Sequence, residues 1–461
     1  MRAADAVLPL ALLGLAACST APAYAPPAVS TPAAFRDTGP WTPAAADAAS
    51  AGDWWSVFAD PTLAGLEQRL AGGNASLAQA LARYDQARAL ARQARTDLYP
   101  TVGVDAGAAS QRTISSGRTD PVGVSASASY ELDLWGRVRS QVEAGRADAQ
   151  ASAADLAAVR LSLQAQLADA YFQLRGADAQ IAVLASTADA YRQALDLTRR
   201  RQVGGASSAL DTGRAETQLA TALSQQEQAQ ADRALLEHAL AVLVGEPASN
   251  FSVASIEGLS DAPRTPVSTP SLVLQRRPDI AAAERRVAAA NARIGVARAA
   301  WFPTVTLAAS GGWQSTGGEL LTTANRVWAL GPAAAVLPLL DGGARKAEVA
   351  RSRAVFDEAA AGYRQTVLDA FREVEDQMAL ANRLAAAQSR QDEAVDAAAR
   401  TAALATTRYR EGAASYLDVV TAQTAELDAR RSALDLRTRR LAASVDLIRA
   451  LGGGWTGGEG A

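Results

Sequence analysis

Cysteine and histidine, two side chains that often carry catalysis or bind metal ions, are nearly absent from this sequence. Its 461 residues include one cysteine, Cys18, and one histidine, His238, which argues against disulfide frameworks, zinc clusters and thiol–histidine catalysis. Residues 342–346, Gly-Gly-Ala-Arg-Lys, lack the spacing of a phosphate-binding loop and the Ser or Thr that follows its lysine. No convergent acid–base or nucleophile set is found either. We therefore predict that the protein is not an enzyme and has no catalytic residues, bound metal or cofactor.

Cys18 stands at the end of an apolar run of residues 6–17. That run is too short to cross a bilayer but suits the core of a signal peptide. Residues 15–18, Leu-Ala-Ala-Cys, resemble a bacterial lipobox, whose cysteine becomes the lipid-modified first residue of the mature protein. We predict a signal peptide over 1–17, a covalent lipid such as palmitate on Cys18, and an extended tether over 18–58, which is rich in Ala, Pro, Thr and Ser. By the same resemblance, Ser19 favours sorting to the outer membrane.

The elements that must position any site occur twice along the chain. Residues 98–102 return as 301–305, residues 135–139 as 341–345, and residues 204–211 as 411–418, all at nearly one offset. The sequence therefore predicts two repeats of about 200 residues. We place the first at 59–258 and the second at 259–451, followed by a flexible tail at 452–461.

Each repeat contains alternating segments that predict strands. In residues 122–134 every even position is apolar and every odd position is small or polar, which is typical of a strand with one wet face. Residues 101–110 form its predicted partner, with a loop at 111–121 between them. The second repeat has strands predicted at 304–314 and 327–339, although Pro332 and Pro338 weaken the last one.

Each repeat also predicts two long helices, at 137–203 and 208–245 and again at 343–410 and 415–451. The first of them contains no proline, and its apolar stripe has a period between those of a coiled coil and a straight helix.

These elements fit a membrane barrel built by several chains. About 9–11 tilted residues cross a bilayer as a strand, whereas four strands cannot close a barrel and lipid tolerates no open edge. The predicted fold is a mixed α+β membrane protein with four barrel strands per chain. Its trimer forms a 12-stranded β-barrel that is continued by an α-helical periplasmic barrel. Odd positions of the second strand, including Glu131 and Asp133, would face the wet lumen.

The sequence resembles the TolC-type outer-membrane efflux factors, in the lipoprotein branch of the resistance-nodulation-division efflux systems. The resemblance covers nearly all of residues 18–455. It rests on the order and spacing of Cys18, Trp54-Trp55, Phe58, Asp60-Pro61, Leu66, Asn74, Arg83 and Arg88, residues 129–136 (Ser-Tyr-Glu-Leu-Asp-Leu-Trp-Gly), 277–280 (Arg-Pro-Asp-Ile), 289–292 (Ala-Ala-Asn-Ala), 339–343 (Leu-Leu-Asp-Gly-Gly) and 450–455 (Ala-Leu-Gly-Gly-Gly-Trp).

The resemblance implies a homotrimeric duct in the bacterial outer membrane, lipid-anchored and extending into the periplasm. Its implied partners are a periplasmic adaptor, an inner-membrane proton-driven transporter and outer-membrane lipid. The formal net charge of −3 and the lack of a basic block argue against a nucleic-acid partner.

The resemblance also implies a periplasmic gate at the turns 203–209 and 411–416. Asp211 and Asp418 match gate-type acidic positions in a Gly-x-x-x-x-Leu-Asp pattern, and Tyr409 matches a tyrosine of the tip. Carboxylates at a constriction would attract cations. Alternatively, each Asp only stabilises the first turn of its helix through the helix dipole. Ala414 departs from the pattern, since some family members carry a gate-linking arginine there, and Thr421 stands where many carry a second acidic residue.

Three functions remain open at this point. The first is the exit duct of a tripartite efflux pump that passes small molecules such as drugs or metal ions. A duct for type I protein secretion would share the architecture, but the lipobox argues against it. A non-pore structural coiled-coil lipoprotein would have no use for strands of barrel length.

Overall fold

The computed structural model describes residues 20–37, 53–113, 117–256, 258–263, 270–316 and 320–453. The described chain contains a four-stranded antiparallel sheet and long helices that follow its strands. The predicted mixed α+β fold class is therefore confirmed. None of the described helices combines the length and the apolar character that a membrane-crossing helix requires.

The helices are α1 (Pro61–Gly73), α2 (Ala75–Thr96), α3 (Arg137–Val203), α4 (Ala209–Val244), α5 (Pro270–Arg276), α6 (Pro278–Ala299), α7 (Ala344–Arg410) and α8 (Tyr416–Ala450). The strands are β1 (Thr101–Ala108), β2 (Gln111–Thr113), β3 (Gly117–Thr119), β4 (Val122–Leu132), β5 (Thr304–Ser315) and β6 (Arg326–Val336). Short 3₁₀ turns cover Trp54–Phe58, Ala248–Asn250 and Thr323–Asn325.

Helices α3 and α7 each contain 67 residues, which corresponds to a length of about 100 Å. Neither contains a proline, so no backbone hydrogen bond is lost along the way. Each ends shortly before a glycine in the left-handed region, Gly205 (φ 72°) or Gly412 (φ 83°), where other residues would be strained. The predicted helices 208–245 and 415–451 began one residue early, because Ser208 and Ser415 are the caps of α4 and α8.

The main sheet has the strand order β1-β4-β5-β6, with every neighbouring pair antiparallel. The predicted loop 111–121 instead contains the small β2–β3 hairpin. Three predicted strands end earlier than expected, and β1 ends at Ala108 rather than at residue 110. β4 ends at Leu132 because Asp133 accepts hydrogen bonds from the backbone N–H groups of Val138 (3.1 Å) and Arg139 (2.9 Å) and so caps α3. β6 ends before Pro338, which has no N–H group for a ladder.

The strand register gives the sheet one apolar and one polar face, since directly paired residues lie on the same face. The pairs Val104–Ala126 and Ala126–Gly311 cross one face, and Gly103–Ser127 crosses the other. The apolar face carries Val102, Val104, Val124, Tyr130, Leu307, Trp313, Trp328 and Leu330. The polar face carries Asp105, Ser125, Ser127, Ser129, Glu131, Thr306 and Ser310.

The predicted tether over 18–58 packs against other elements in the two segments that the structure describes. Residues 20–37 lie along the helices: the Tyr24 side chain hydrogen-bonds Glu284, and the Arg36 backbone N–H donates to Glu375 (2.8 Å). The Trp54–Phe58 turn belongs to the main hydrophobic core, where Trp54, Trp55 and Phe58 are buried. Composition predicts whether a segment can form its own core, and it does not report packing on another element.

The predicted tail at 452–461 is also packed at its first residues. Gly452 and Gly453 are buried, and a Cβ at Gly452 would lie 2.3 Å from the carbonyl oxygen of Arg276. Residues 454–461 lie outside the described part of the chain.

Candidate functional site

The two turns that the sequence singled out meet in one cluster. We call α3, α4 and their turn the first hairpin, and α7, α8 and their turn the second hairpin. Leu195 and Ala215 of the first hairpin pack against Tyr409, Tyr416 and Val419 of the second. All five residues are buried, so the tips of the two hairpins share a small hydrophobic core within one chain.

Tyr409 lies at the centre of this cluster and is only 5% exposed. Its hydroxyl donates a hydrogen bond to Oγ1 of Thr198 at 3.3 Å and lies 3.5 Å from Oγ of Ser207, both on the first hairpin. Its ring packs edge-on against Tyr416, with ring centroids 5.4 Å apart. Tyr409 therefore connects the two hairpins of one chain.

Asp211 forms a capping box at the start of α4. Its carboxylate accepts hydrogen bonds from the Ser208 backbone N–H (3.2 Å), the Ser208 hydroxyl (2.9 Å) and the Ser207 hydroxyl (3.1 Å). Although desolvation acts to raise its pKa, the hydrogen bonds from Ser208 and Ser207 hold the pKa of Asp211 below its ordinary value. The carboxylate therefore remains charged at neutral pH. Because Ser207 contacts both groups, it links Asp211 indirectly to Tyr409.

Asp418 repeats this arrangement at the start of α8. It accepts hydrogen bonds from the Ser415 backbone N–H (2.9 Å) and hydroxyl (2.8 Å), and the residue is exposed. The capping role that the sequence left open is thus present at both aspartates. Capping does not bury the Asp418 side chain, which stays open to solvent at the tip of the second hairpin.

Two residues of this cluster were missed by the sequence reasoning. Tyr416 is 2% exposed, and its hydroxyl lies 3.5 Å from Oε1 of Gln218. Arg201 has its guanidinium 4.6 Å from the centre of the Tyr409 ring. Neither has an equivalent in the other repeat with the same surroundings, so the comparison of repeats gave no signal for them. The triple arginine at 199–201, next to a glycine turn, was the only available signal for Arg201.

At the other end of the long helices, the polar face of the sheet carries paired charges. Glu131 forms a bidentate ion pair with Arg137, with both N–O distances 2.7 Å. Asp105 accepts a hydrogen bond from the hydroxyl of Ser127 at 3.3 Å. Glu131 lies on this face as predicted, whereas Asp133 lies beyond the strand and caps α3.

Cys18 lies outside the described residues, but the segment that follows it is fixed close to the sheet. The hydroxyl oxygen of Thr20 lies 3.1 Å from the carbonyl oxygen of Trp135 and 3.0 Å from that of Gly295. A Cβ at Gly295 would lie 2.6 Å from Cβ of Ala21, so this close approach requires glycine. Trp135 stacks on Phe302 at 4.7 Å, where β4 ends and α3 begins.

Within the described ranges, no group of three or more His, Cys, Asp or Glu side chains has a geometry that could hold a metal ion.

Comparison with known proteins identifies closely similar chains. The family model described as "Outer membrane efflux protein" matches residues 66–246 and 269–453. The chain is 34% identical to outer membrane protein OprJ of Pseudomonas aeruginosa, with 98% of this chain and 96% of OprJ covered. It is 33% identical to the pyoverdine export outer membrane protein OpmQ of the same organism, with 96% of each chain covered.

Among solved structures, the outer-membrane channel OprN superimposes with a TM-score of 0.88 at 30% identity. The alignment covers 95% of this chain and all of OprN.

Proposed function

Because the chain belongs to the outer membrane efflux protein family and is an outer-membrane exit duct for efflux, we propose that three copies form the duct of a tripartite pump for small molecules. The outer-membrane sheet is continued by helices about 100 Å long that extend into the periplasm. At their far ends the duct would meet a periplasmic adaptor and an inner-membrane, proton-driven transporter. The proposal includes no catalytic step, since a duct only has to open and close.

The sheet supports closure by several copies. β1 and β6 form its two edges, and each pairs with a single neighbour among the described strands. With four strands in strict antiparallel order, β6 of one copy runs antiparallel to β1 of the next. Three copies then give twelve strands without an exposed edge, as lipid requires.

The export of small molecules can be separated from the export of polypeptides in the native host. OpmQ carries the words "pyoverdine export" in its name, which favours a small molecule here. Deletion of the gene that encodes this chain should raise the accumulation of a small fluorescent dye in the cells. The set of proteins that the cells secrete should not change. Unchanged dye accumulation together with missing secreted proteins would instead support a type I secretion duct.

We further propose that Cys18 carries the lipid anchor. Thr20 is fixed beside Trp135 and Gly295, next to the start of α3 at the end of the sheet. Two extended residues span about 7 Å, which is the longest stretch of chain that can separate the Thr20 site from an acyl chain attached at Cys18.

Mass spectrometry of the N-terminal peptide of the mature protein tests this anchor. The expected peptide begins at Cys18 and carries acyl chains, because Cys18 ends the lipobox-like residues 15–18 that follow the predicted signal-peptide core. The Cys18→Ser variant should lack them, whereas a matched Ser19→Ala variant should keep them. A mature wild-type peptide that begins elsewhere, or carries no lipid, contradicts the proposal.

The third part of the proposal assigns the gate to the hairpin tips, with Tyr409 holding the hairpins together and Asp211 and Asp418 providing negative charge. Tyr409→Phe removes the hydroxyl bonded to Thr198 and close to Ser207. Loss of this hydrogen bond should destabilise the closed tip by about 1 kcal/mol, which raises the fraction of channels that are open about fivefold. Cells should then become sensitive to a large hydrophilic antibiotic that an intact outer membrane excludes.

The matched control is Tyr84→Phe on α2, which is not part of either hairpin and where the tyrosine ring faces Arg88. Equal sensitivity of cells producing the Tyr409 and Tyr84 variants would contradict the role of Tyr409.

A further inference from the structure

Arg201 reaches from the first hairpin to the second at the tip. It lies in the last turn of α3, and its guanidinium carbon is 4.6 Å from the centre of the Tyr409 ring. Its Nη1 group also donates a hydrogen bond to the backbone carbonyl oxygen of Tyr409. A Cβ at Gly412 would lie 3.8 Å from its Nη2 group, so the guanidinium covers the turn that follows α7.

These contacts complete the enclosure of Tyr409 by the first hairpin. Thr198 and Ser207 contact its hydroxyl, and Arg201 contacts its ring and its carbonyl group. Arg201 is half-buried, and its Nε atom is buried without a hydrogen-bond partner in the described part of the chain. An unpaired Nε is unfavourable in itself. The side chain therefore holds this position through its ring and carbonyl contacts.

The two aspartates of the tip provide no direct hydrogen bond between the hairpins within the described residues, and Asp211 reaches Tyr409 only through Ser207. The carboxylates of Asp211 and Asp418 each bond to serines at the start of their own helix. Ala414, in the second turn, has only a methyl group and cannot form a polar link. Arg408 of the second repeat corresponds to Arg201, and Gln202 of the first repeat corresponds to Tyr409, so the described residues contain this ring–guanidinium pair at one tip only.

We propose that Arg201 is the clamp that holds the two hairpin tips of each chain together in the closed duct. This inference rests on the proposed gate and adds to it the residue that keeps the gate closed. Arginine suits the role because its planar guanidinium can stack on an aromatic face while it donates in its own plane. Lysine offers a point charge with neither property.

The first test records single-channel currents of purified trimers in planar bilayers. Loss of a cation–π contact and of a charged hydrogen bond should raise the open fraction at least tenfold in Arg201→Gln. Arg201→Lys should show most of this increase, because lysine keeps the positive charge but cannot stack on the ring. If the charge alone held the tips together, Arg201→Lys would behave like the wild type. The matched control is Arg200→Gln, because Arg200 is exposed and has no ion pair or ring contact within the described ranges.

The second test measures the separation of the tips directly. Spin labels on Val203→Cys and Leu417→Cys would report on the first and the second hairpin, since both side chains are exposed, by 92% and 49%. Arg201→Gln should broaden and lengthen the distance distribution, whereas Arg200→Gln should leave it unchanged. Cys18 would not take up label if it carries the proposed lipid.

The two readouts separate the possible failures. Wild-type distances and currents in both Arg201 variants would overturn the clamp and leave the gate assignment standing on Tyr409. Separated tips without any change in current would support the clamp and contradict the proposal that the tips gate the duct.

Discussion

Glu67→Gln is expected to stabilise the protein by several kcal/mol at neutral and alkaline pH. Glu67 lies on α1 among Leu63, Leu66 and Leu70 and has no exposed surface. Neither of its carboxylate oxygens has a hydrogen-bond partner in the described part of the chain. Burial raises the pKa of Glu67 from 4.5 to about 9, against a smaller opposing effect of Arg160. The folded protein therefore keeps this group protonated at neutral pH.

The sign of the pH dependence follows from that raised pKa. Below pH 4.5 the group is protonated in both states, so it adds no pH dependence to stability. As the pH rises towards 9, the unfolded state releases a proton that the folded state retains, and stability falls by about 1.4 kcal/mol per pH unit. The wild type should lose on the order of 4 kcal/mol by pH 7.5, and Glu67→Gln should not.

Thermal denaturation of purified trimers between pH 5 and pH 9 measures this difference. The melting temperatures of wild type and Glu67→Gln should be similar near pH 5 and differ by several degrees at pH 8. Glu227→Gln, an exposed carboxylate on α4, changes the net charge equally and should follow the wild type. A gap between Glu67→Gln and wild type that stays constant over the whole range would show that the buried group does not titrate.

Val104→Arg is expected to prevent most of the protein from assembling in a membrane. Val104 lies in the middle of β1 on the apolar face, opposite Ala126, and is 73% exposed in the single chain. An arginine that faces lipid near the midplane costs about 2–4 kcal/mol, and the trimer repeats it three times. The yield of folded trimer should fall at least tenfold.

Ser127→Arg is the matched control, because Ser127 lies on the polar face one pairing step away from Val104. In that position the arginine would face the lumen, so the trimer should assemble and its ion preference should shift towards anions. Both variants would be refolded into phospholipid vesicles, and heat-resistant trimer would be quantified by gel electrophoresis. Equal yields would contradict the assignment of the apolar face to lipid and the polar face to the lumen. A lower yield for Ser127→Arg than for Val104→Arg would show that the two faces are assigned the wrong way round.

The features that the sequence predicted well depend on local periodicity. Strict alternation in residues 122–132 corresponds to β4, and a proline-free stretch with a 3.5–3.6 period corresponds to α3 from Arg137 to Val203. Such patterns arise because each side chain must face either the core or the surroundings of its own element. Glu67 also follows this rule, since it lies four residues after Leu63 on the buried side of α1, and its spacing could have revealed it.

The features that could not be predicted from the sequence depend on contacts between distant segments. The position of Thr20 beside Gly295 is set by tertiary packing that composition does not encode. Arg201 and Tyr409 are separated by more than two hundred residues, and only the meeting of the hairpin tips brings them together. The proposed gate residues were identified by their match to a family pattern, whereas their hydrogen-bond partners are seen only in the structure.

The central claim, a duct closed at its helical tip, is tested most directly by single-channel recording of the detergent-purified trimer in planar bilayers, with wild type beside Asp418→Ala. The account predicts discrete cation-favouring steps in the wild type. In the variant it predicts larger steps with a weaker cation preference, because the proposed gate places the exposed carboxylate of Asp418 at the constriction. The absence of steps in both proteins, despite confirmed trimers, would contradict the claim.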